Sequence, residues 1–555
     1  MNNMKDMAPG AGAPPSGHIE IFDTTLRDGA QGEGISFSAQ DKLAIAGALD
    51  ELGVSWIEAG NPGSNPKDVD FFKSAKKLRL ENARLCAFGS TRKKGVRAED
   101  DEQLSSLLSA DTEFVVVFGK ASTLHVKEVL KASLDENLAM ISETIQFLRR
   151  EGRTVFFDAE HFFDGFARNR DYALKSIVTA AEAGAVRIIL CDTNGGSFPG
   201  AVAEGTHAAA DCLADCRAAP PLGIHAHNDS GLAIACSIAA VEAGCVQVQG
   251  TLLGFGERCG NTCLAALIPS LQCKMGLRCL PNGKLPRLTE ISRRVAEIVN
   301  CTLSDDMPYI GTHAFSHKAG MHADAILKAR SSFEHIDPAL VGNGRRFLMS
   351  EQGGRAAIAE RVGRLTEGVG KSHPAISALS RRLKALEAGG WAFDGADASF
   401  EILAYKELGL YKSAFDIIAY RVQSEHPAGK LMECCHAWVK VLVNGQYEIA
   451  AAEGDGPVNA LDGALRRSLL RFYPELARMR LSDYKVRVID GKHATAAKVR
   501  VLVESTDGVS AWTTVGVSAD IIDASRLALV DSIEYYLQRV KQSAISPISQ
   551  TNFSP

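Results

Sequence analysis

The chain has 555 residues, 46% of them hydrophobic and 23% charged, which is ordinary for a soluble globular protein. Its length exceeds the usual size of one domain, so the sequence predicts two or three domains. A formal charge of −5 gives no basic surface for nucleic acid, and no apolar run approaches the length of a membrane helix, so neither partner is expected.

The start of the chain and its cysteines favour a cytoplasmic location. Residues 1–17 are rich in Gly, Pro and Ala and contain no apolar stretch of the kind found in signal peptides, so we predict a flexible leader. The 13 cysteines are scattered and form no CxxC pair. This distribution favours reduced thiols over a disulfide framework or a zinc knuckle.

From residue 18 onward, short apolar runs alternate with longer stretches of helical periodicity such as 41–53 and 135–152. The runs predict eight strands, at 19–26, 56–60, 84–90, 113–119, 154–160, 187–193, 223–228 and 247–256. Eight strand–helix units over about 250 residues are typical of an α/β (β/α)₈ TIM barrel, which we place at 18–285. A doubly wound sheet is the alternative, but its glycine-rich phosphate loop after the first strand is absent here.

After the barrel the composition changes. Residues 286–400 are predicted to form helical linker subdomains with a His-rich insert at 309–327. Residues 401–545 predict a separate C-terminal α+β domain, which contains no catalytic cluster and so suits regulation or dimerisation. Its predicted elements are a hairpin turned at Asn444-Gly445, a helix over 458–471, strands at 484–489 and 497–505, and a terminal helix over 523–541.

The predicted seventh strand contains the unusual stretch GIHAHNDSG (223–231). Residues two apart on a strand share a face, so His225 and His227 project together, at the end of the barrel where barrel enzymes place their sites. Paired imidazoles there can bind one divalent metal. An isolated pair of this kind is more often explained by histidines that hydrogen-bond to their neighbours, so the residues at the other strand ends must decide.

Polar side chains also gather at the carboxyl ends of other predicted strands. Because each buried polar group needs a partner, a purely structural core gives no reason for such a gathering. The residues are Arg27 and Asp28 after strand one, Asp158, Glu160 and His161 at strand five, Asp192, Thr193 and Asn194 at strand six, and Glu257, Arg258 and Asn261 after strand eight. We therefore predict an active site at this end of the barrel.

Three motifs carry a resemblance to a known enzyme family: DTTLRDGAQ (23–31), HAHND (225–229) and GERCGN (256–261). Together they resemble the signature of the DRE-TIM metallolyases, which include the 2-isopropylmalate, homocitrate and citramalate synthases and, more distantly, 3-hydroxy-3-methylglutaryl-CoA lyase. The resemblance continues at 61–68, 157–166, 190–196, 312–328, 334–343 and 516–537. AEHFFDG and NPGSNPKD look most like the citramalate synthase branch, and the C-terminal segment resembles the allosteric domain of the synthases.

The resemblance implies an acyltransferase that condenses acetyl-CoA with pyruvate and hydrolyses the thioester, giving (R)-citramalate for isoleucine biosynthesis. The alternative acceptor is 2-oxoisovalerate, as in the 2-isopropylmalate synthases of leucine biosynthesis. The resemblance also implies a homodimer and a branched-chain amino-acid effector at the C-terminal domain. Two other classes remain open: a non-catalytic amino-acid sensor, which would lack the metal or arginine residues, and a lyase, which would lack the C-terminal domain.

The resemblance further implies a divalent metal ion, Mg²⁺, Mn²⁺, Co²⁺ or Zn²⁺, held by Asp28, His225 and His227. The amide oxygen of Asn261 is a plausible fourth ligand. The structural alternatives are a turn residue for Asp28 and a helix N-cap for Asn261.

The remaining predicted site residues act on the substrates. Arg27 suits the alkoxide that develops on the keto oxygen, and a salt bridge from Arg27 to Glu58 or Glu160 is a compatible alternative. By resemblance, Thr193 binds the carboxylate of the oxo acid, and His161 is a further candidate for contacting substrate.

Acetyl-CoA must lose a methyl proton of high pKa, so a positioned base is needed. Glu160 and His322 match the family's candidates for the proton steps, with His161 also open as the base. Because His322 lies outside the barrel segment, we expect it to reach the site from a partner subunit. His313 and His317 are predicted to be helix caps or surface residues.

Overall fold

Eight parallel strands, each paired with the next and the last paired with the first, form a closed barrel in the computed structural model of the chain. The structure describes residues 17–318, 322, 325–326, 328–347, 354–366, 368–425, 434–489 and 497–545, so residues 1–16 of the predicted leader lie outside it. Within these ranges no helix is both long and apolar enough to cross a membrane.

The predicted (β/α)₈ barrel is confirmed. Its strands are β1 Glu20–Asp23, β2 Trp56–Gly60, β3 Arg84–Ser90, β4 Phe114–Lys120, β5 Thr154–Glu160, β6 Arg187–Asp192, β7 Leu222–Ala226 and β8 Gln247–Gly250. Its helices are α1 Ala39–Leu52, α2 Pro66–Ala75, α3 Glu102–Ser109, α4 Leu134–Arg150, α5 Phe162–Arg168, α6 Arg170–Ala183, α7 Pro199–Ala214, α8 Ala233–Glu242, α9 Leu264–Pro269 and α10 Leu288–Val299.

The ends of these helices follow from local sequence. Helix α1 starts at a capping box, in which the Ser38 hydroxyl accepts from the Asp41 backbone N–H and the Asp41 carboxylate accepts from the Ser38 backbone N–H. It ends at Gly53, whose φ of 93° favours glycine. Helix α4 starts at Ser133, whose side chain accepts from the backbone N–H of Glu136.

Two apolar layers build the barrel. The outer layer lies between the strands and the surrounding helices and includes Ile21, Ile57, Val115 and Val117. The inner layer fills the barrel with aromatic and small side chains: Phe22, Trp56, Cys86, Phe114, Val116, Phe156, Ile189 and Cys191. The Trp56 ring packs edge-on against Phe114 and Phe156 at centroid distances of 4.7 and 5.1 Å, so this region is solid packing and not a channel.

Strand β8 ends at Gly250, six residues before its predicted end at 256. Residues 251–256 instead form a loop at the carboxyl end of the barrel. The apolar stretch TLLGF (251–255) had led to the prediction of a longer strand. Gly256 has a φ of 153°, and a Cβ there would lie 2.1 Å from Nδ2 of Asn261. The loop therefore requires glycine where it passes Asn261.

The chain divides into two compact units, residues 1–315 with 336–345 and residues 316–335 with 346–555. The second unit contains β9 Ser316–His317, β10 Arg346–Phe347, α11 Arg355–Gly363, α12 Pro374–Ala388, α13 Asp397–Glu407, β11 Asp416–Glu425, β12 Cys434–Val443, β13 Gln446–Gly454, α14 Pro457–Leu470, β14 Arg480–Val488, β15 Val499–Thr506, β16 Ala511–Ser518 and α15 Ile521–Ile545.

The C-terminal part of the second unit repeats one motif, three antiparallel strands followed by a helix. The predicted hairpin is present: β12 and β13 pair around Asn444 and Gly445, whose φ values of 49° and 81° suit the two-residue turn. Strands β11 and β16 were not predicted. Strand β16 mixes buried and half-buried positions without a strict alternation, so its periodicity is weak.

Candidate active site

A cavity of about 300 Å³ opens at the carboxyl end of the barrel strands. Its lining comes from all eight strands, either from their carboxyl ends or from the loops that follow them. The lining residues are Arg27, Asp28, Gln31, Asn61, Phe88, Phe118, Asp158, Glu160, Cys191, Thr193, His225, His227, Glu257 and Arg258. Most of the residues predicted from strand ends therefore lie around one space.

Asp28, His225 and His227 come together at the base of this cavity. Oδ2 of Asp28 lies 3.2 Å from Nε2 of His225 and 3.9 Å from Nε2 of His227. The two Nε2 atoms are 3.4 Å apart, and all three side chains are buried. Among the residues that the structure describes, this is the one group of three His, Cys, Asp or Glu side chains whose ligand atoms all lie within 4.8 Å of one another.

Asn261 lies beside this group, because residues 227 and 261 form an isolated antiparallel bridge. Its Nδ2 donates to the backbone oxygen of Phe255 at 3.1 Å, while its buried Oδ1 has no hydrogen-bond partner in the described part of the chain. A buried amide oxygen without a partner is costly. A carboxylate, two imidazoles and an unpaired amide oxygen fit a divalent cation well.

The local electrostatics favour positive charge at the same point. Burial alone would raise the pKa of Asp28, but the Arg27 guanidinium and the His225 ring hold it well below its usual range. Burial opposes a charge on His225, yet the bond to Asp28 raises the pKa of that ring. Burial and the neighbouring His225 lower the pKa of His227 to about 4, so His227 offers a lone pair at neutral pH.

Arg27 is fixed from three sides. Its Nε donates to Oε2 of Glu58 at 2.5 Å, its Nη1 lies 3.1 Å from Oδ2 of Asp28, and its guanidinium carbon lies 3.9 Å from the centre of the Phe88 ring. The salt bridge to Glu58 that the sequence allowed is therefore present. A guanidinium held in this way adds fixed positive charge to the cavity.

Glu160 and Thr193 end neighbouring strands on the other side of the cavity. The Glu160 carboxylate pairs with the ammonium group of Lys120 at the end of β4. The Thr193 hydroxyl accepts from the backbone N–H of His161 at 2.8 Å. Both side chains reach the cavity lining, as predicted from their positions.

The ring of His161 does not belong to that lining. His161 has a φ of 59°, and its ring stacks on His125 at 3.6 Å and bonds to Oδ2 of Asp164 at 3.1 Å. The left-handed backbone turns the ring sideways from the strand direction, which alternation along a strand could not anticipate. His161 thus supports the rim near Thr193 through its backbone.

His322 belongs to the second unit, where its half-buried ring stacks on Phe333 at 4.1 Å. His313 is half exposed, and its Nδ1 lies 2.9 Å from Oδ1 of Asp306. Nε2 of His317 lies 3.2 Å from Oε1 of Glu334. His313 is thus the surface residue that was predicted, whereas the side chain of His317 is largely buried against Glu334.

Phe88 and Phe118 in the lining were not singled out from the sequence, whereas Arg258 was named among the polar residues after strand eight. Phe88 and Phe118 stack at 5.3 Å with an interplanar angle of 15° and form an apolar wall. Arg258, at a φ of 58°, binds the Asp229 carboxylate with two nitrogens and also donates to the Thr193 backbone oxygen at 2.9 Å. It ties together the loops after β6, β7 and β8. Single phenylalanines on strands carry no signal for this role, whereas Arg258 stands in a motif that pointed to the site.

Comparisons with known proteins show the family of the chain. The HMGL-like family model matches residues 18–295, the homocitrate synthase post-HMGL domain-like model residues 309–389, and the LeuA allosteric (dimerisation) domain model residues 394–537. The chain is 48% identical to an (R)-citramalate synthase of Synechocystis sp. over 93% of this chain and 96% of that protein. It is 46% identical to the (R)-citramalate synthase of Aquifex aeolicus over 95% and 99%. Identity to the 2-isopropylmalate synthase of Methanocaldococcus jannaschii is 30%, over 94% and 95%.

Proposed function

This chain belongs to the HMGL-like family and, within it, to the (R)-citramalate synthases, and from that premise we propose how its residues divide the work of condensing acetyl-CoA with pyruvate. The reaction joins the methyl carbon of acetyl-CoA to the keto carbon of pyruvate, and hydrolysis of the thioester then releases CoA and citramalate. The observation that carries the assignment of the site is the buried group of Asp28, His225 and His227 next to Arg27.

Asp28, His225 and His227 would hold a divalent metal ion, with Oδ1 of Asn261 as a further ligand. The donor set of one carboxylate, two imidazoles and one unpaired amide oxygen supports this assignment. When bound, the ion supplies Lewis-acid polarisation of the substrate keto group. Mixed oxygen and nitrogen ligands suit Mg²⁺, Mn²⁺, Co²⁺ and Zn²⁺.

Arg27 stabilises the negative charge that develops on the keto oxygen during attack. Its bond to Glu58 and its stacking on Phe88 hold the guanidinium in place before the reaction, so no reorganisation is needed at the transition state. Thr193 binds the carboxylate of the oxo acid through its hydroxyl. Both side chains line the same cavity.

Glu160 accepts the methyl proton of acetyl-CoA, and Lys120 keeps its carboxylate beside the cavity. His161 contributes by holding the Thr193 hydroxyl through its backbone N–H. His322, supplied by a partner subunit, would serve the proton steps.

The wall formed by Phe88 and Phe118 supports pyruvate as the acceptor. The two stacked phenyl rings line a cavity of about 300 Å³, and Arg27 packs on one of them, Phe88. The methyl group of pyruvate needs less room there than the isopropyl group of 2-oxoisovalerate. The identity of 48% to a citramalate synthase against 30% to a 2-isopropylmalate synthase points the same way.

The rest of the chain serves assembly and control in this proposal. We divide it into a leader (1–17), the catalytic barrel (18–285), linker subdomains (286–400) and a regulatory domain (401–545). The match of residues 394–537 to an allosteric dimerisation domain supports a homodimer with a branched-chain amino-acid effector. A cytoplasmic enzyme of isoleucine biosynthesis would fit this organisation.

The test is CoA release by the purified protein from acetyl-CoA with a panel of 2-oxo acids. We expect release with pyruvate that EDTA abolishes and a divalent metal restores, with citramalate identified by chiral chromatography. Release that favours 2-oxoisovalerate would move the chain to the 2-isopropylmalate reaction. No release with any acid in the presence of Mg²⁺ or Mn²⁺ would refute the condensation and leave the amino-acid sensor.

A further inference from the structure

A buried glutamine lies directly behind the two histidines. Gln249 is on β8, and the pairing of β7 with β8 sets it opposite His225. Its Oε1 lies 2.9 Å from Nδ1 of His225, and its side chain is completely buried. No solvent can therefore replace this contact.

The far side of the same amide is also engaged. Nε2 of Gln249 donates to Oδ1 of Asp158 at 3.4 Å, near the carboxyl end of β5. With its NH₂ group facing the carboxylate, the amide turns its carbonyl oxygen towards His225. A carbonyl oxygen only accepts hydrogen bonds, so the Nδ1 atom of His225 must carry the proton.

That proton decides what the other ring nitrogen can do. In a neutral imidazole with a proton on Nδ1, Nε2 keeps its lone pair. Nε2 of His225 is the atom that faces Oδ2 of Asp28 and Nε2 of His227. The bond from the ring to Gln249 also fixes the plane of the imidazole, and hence the direction of that lone pair.

We propose that Gln249 is a positioning residue, which fixes the tautomer and the orientation of His225 for metal binding. A ring without this bond can adopt the other tautomer or rotate, and either change removes a ligand from the site. Asp158 completes the arrangement by holding the amide. Partners of this kind typically change metal affinity by about 10–100-fold.

The chain provides a matched control on the same strand. Gln247 precedes Gln249 by two residues, is also completely buried, and donates from Nε2 to Oε2 of Glu20 at 3.0 Å. Its position opposite Gly223 gives it no histidine to orient. Replacing either glutamine by methionine removes the same chemistry at the same burial, one layer apart.

The experiment measures the dissociation constant for Mn²⁺ by calorimetry and the visible absorption spectrum of the Co²⁺ form. We expect Gln249→Met to weaken Mn²⁺ binding by about 10–100-fold and to change the Co²⁺ spectrum. Gln249→Glu keeps an acceptor oxygen next to Nδ1 but loses the amide donor to Asp158, so it should restore only part of the affinity. Gln247→Met should leave the Mn²⁺ dissociation constant and the Co²⁺ spectrum unchanged, even if the variant has a lower melting temperature.

Equal Mn²⁺ affinity in Gln249→Met and the wild-type chain would overturn the proposal, as would an equal loss in Gln247→Met. Should Gln249→Met not fold, Gln249→Asn tests the same point, because its shorter amide withdraws the acceptor from Nδ1 and predicts the same loss. The inference rests on the proposed metal site, and the two fail differently. A wild-type chain that binds no Mn²⁺ refutes the metal site itself, whereas normal wild-type binding with an unaffected Gln249→Met refutes only the role of Gln249.

Discussion

The two ends of the barrel interior differ in how their polar side chains are paired. At the amino end, the Glu20 carboxylate accepts from Arg187 at 2.9 and 3.0 Å, from Trp56 at 3.0 Å and from Gln247 at 3.0 Å. Donors there converge on one acceptor. At the carboxyl end, the acceptor atoms of Asp28, His225 and His227 converge on one another.

The difference identifies which end is built for a ligand. A carboxylate surrounded by donors is satisfied by the protein itself, so the amino-end layer closes the barrel. Lone pairs that face one another within 3.2–3.9 Å repel unless a proton or a metal cation lies between them. Strand β1 serves both groups, because Glu20 begins it and Asp28 lies in the loop after its end.

The largest expected effect comes from removing one of the converging acceptors. Asp28→Ala should lower kcat by about 10³-fold or more, since metal polarisation is worth several kcal/mol, and should abolish Mn²⁺ binding. Glu20→Gln at the other end should lower the melting temperature and leave kcat within a few-fold. Steady-state CoA release and calorimetry measure both. Normal turnover in Asp28→Ala would show that the carboxyl-end group of Asp28, His225 and His227 is not required for the reaction.

Arg27 separates charge stabilisation from metal binding. Arg27→Gln should lower kcat by about 10²–10³-fold, because it removes the donors aimed at the developing alkoxide. Mn²⁺ affinity should change far less, since Arg27 supplies no ligand atom. Arg187→Gln at the amino end is the control, with stability reduced and kcat retained. A larger loss of Mn²⁺ affinity than of kcat in Arg27→Gln would contradict this role.

Two phenylalanines of strand β4 allow a test of which 2-oxo acid the site prefers. Both point into the barrel, Phe118 in the cavity wall and Phe114 in the amino-end layer. Phe118→Ala should shift the ratio of kcat/KM for 2-oxoisovalerate over pyruvate upward by about 10-fold or more, at about 1–3 kcal/mol per methylene. Phe114→Ala should cost about 3–5 kcal/mol of stability without changing that ratio. Equal ratios in the two variants would remove Phe118 from the specificity wall.

The last expected effect concerns stability and pH at Asp23, the final residue of β1. Burial raises the pKa of Asp23 from 3.8 to about 7, and its Oδ2 has no hydrogen-bond partner in the described part of the chain. The folded chain therefore binds this proton more tightly than the unfolded chain, so stability is full below about pH 4 and falls as the pH rises to 7, by at most about 4 kcal/mol.

Asp23→Asn removes that proton and keeps Oδ1 for the backbone N–H of Thr25. Thermal unfolding at pH 5 and pH 8 should therefore show a smaller loss of melting temperature for Asp23→Asn than for the wild-type chain. The same loss in both would show that Asp23 does not carry this proton.

The sequence predicted the barrel and much of its site because both depend on strand alternation. His225 and His227 share a face by that rule alone, and Asp28 and Glu160 follow from the position of strand ends. The exceptions lie where the backbone leaves the strand. His161 turns aside through its left-handed φ of 59°, and β8 stops at Gly250 although apolar residues continue.

The sequence also could not predict which residues of neighbouring strands lie opposite one another. Nothing in the letters QVQG shows that Gln249 lies opposite His225 while Gln247 lies opposite Gly223, because that depends on the register of β7 with β8. The apolar wall of Phe88 and Phe118 likewise depends on which residues of β3 and β4 reach the same layer. Pairing of this kind is fixed by closure of the whole barrel and not by local sequence.

The most direct test of the central claim is anomalous diffraction at the manganese edge from crystals grown with Mn²⁺ and pyruvate. The account predicts one strong peak within about 2–2.4 Å of a carboxylate oxygen of Asp28 and of Nε2 of both His225 and His227, close to Oδ1 of Asn261. A fully occupied manganese elsewhere, or none at a concentration that supports CoA release, would contradict it.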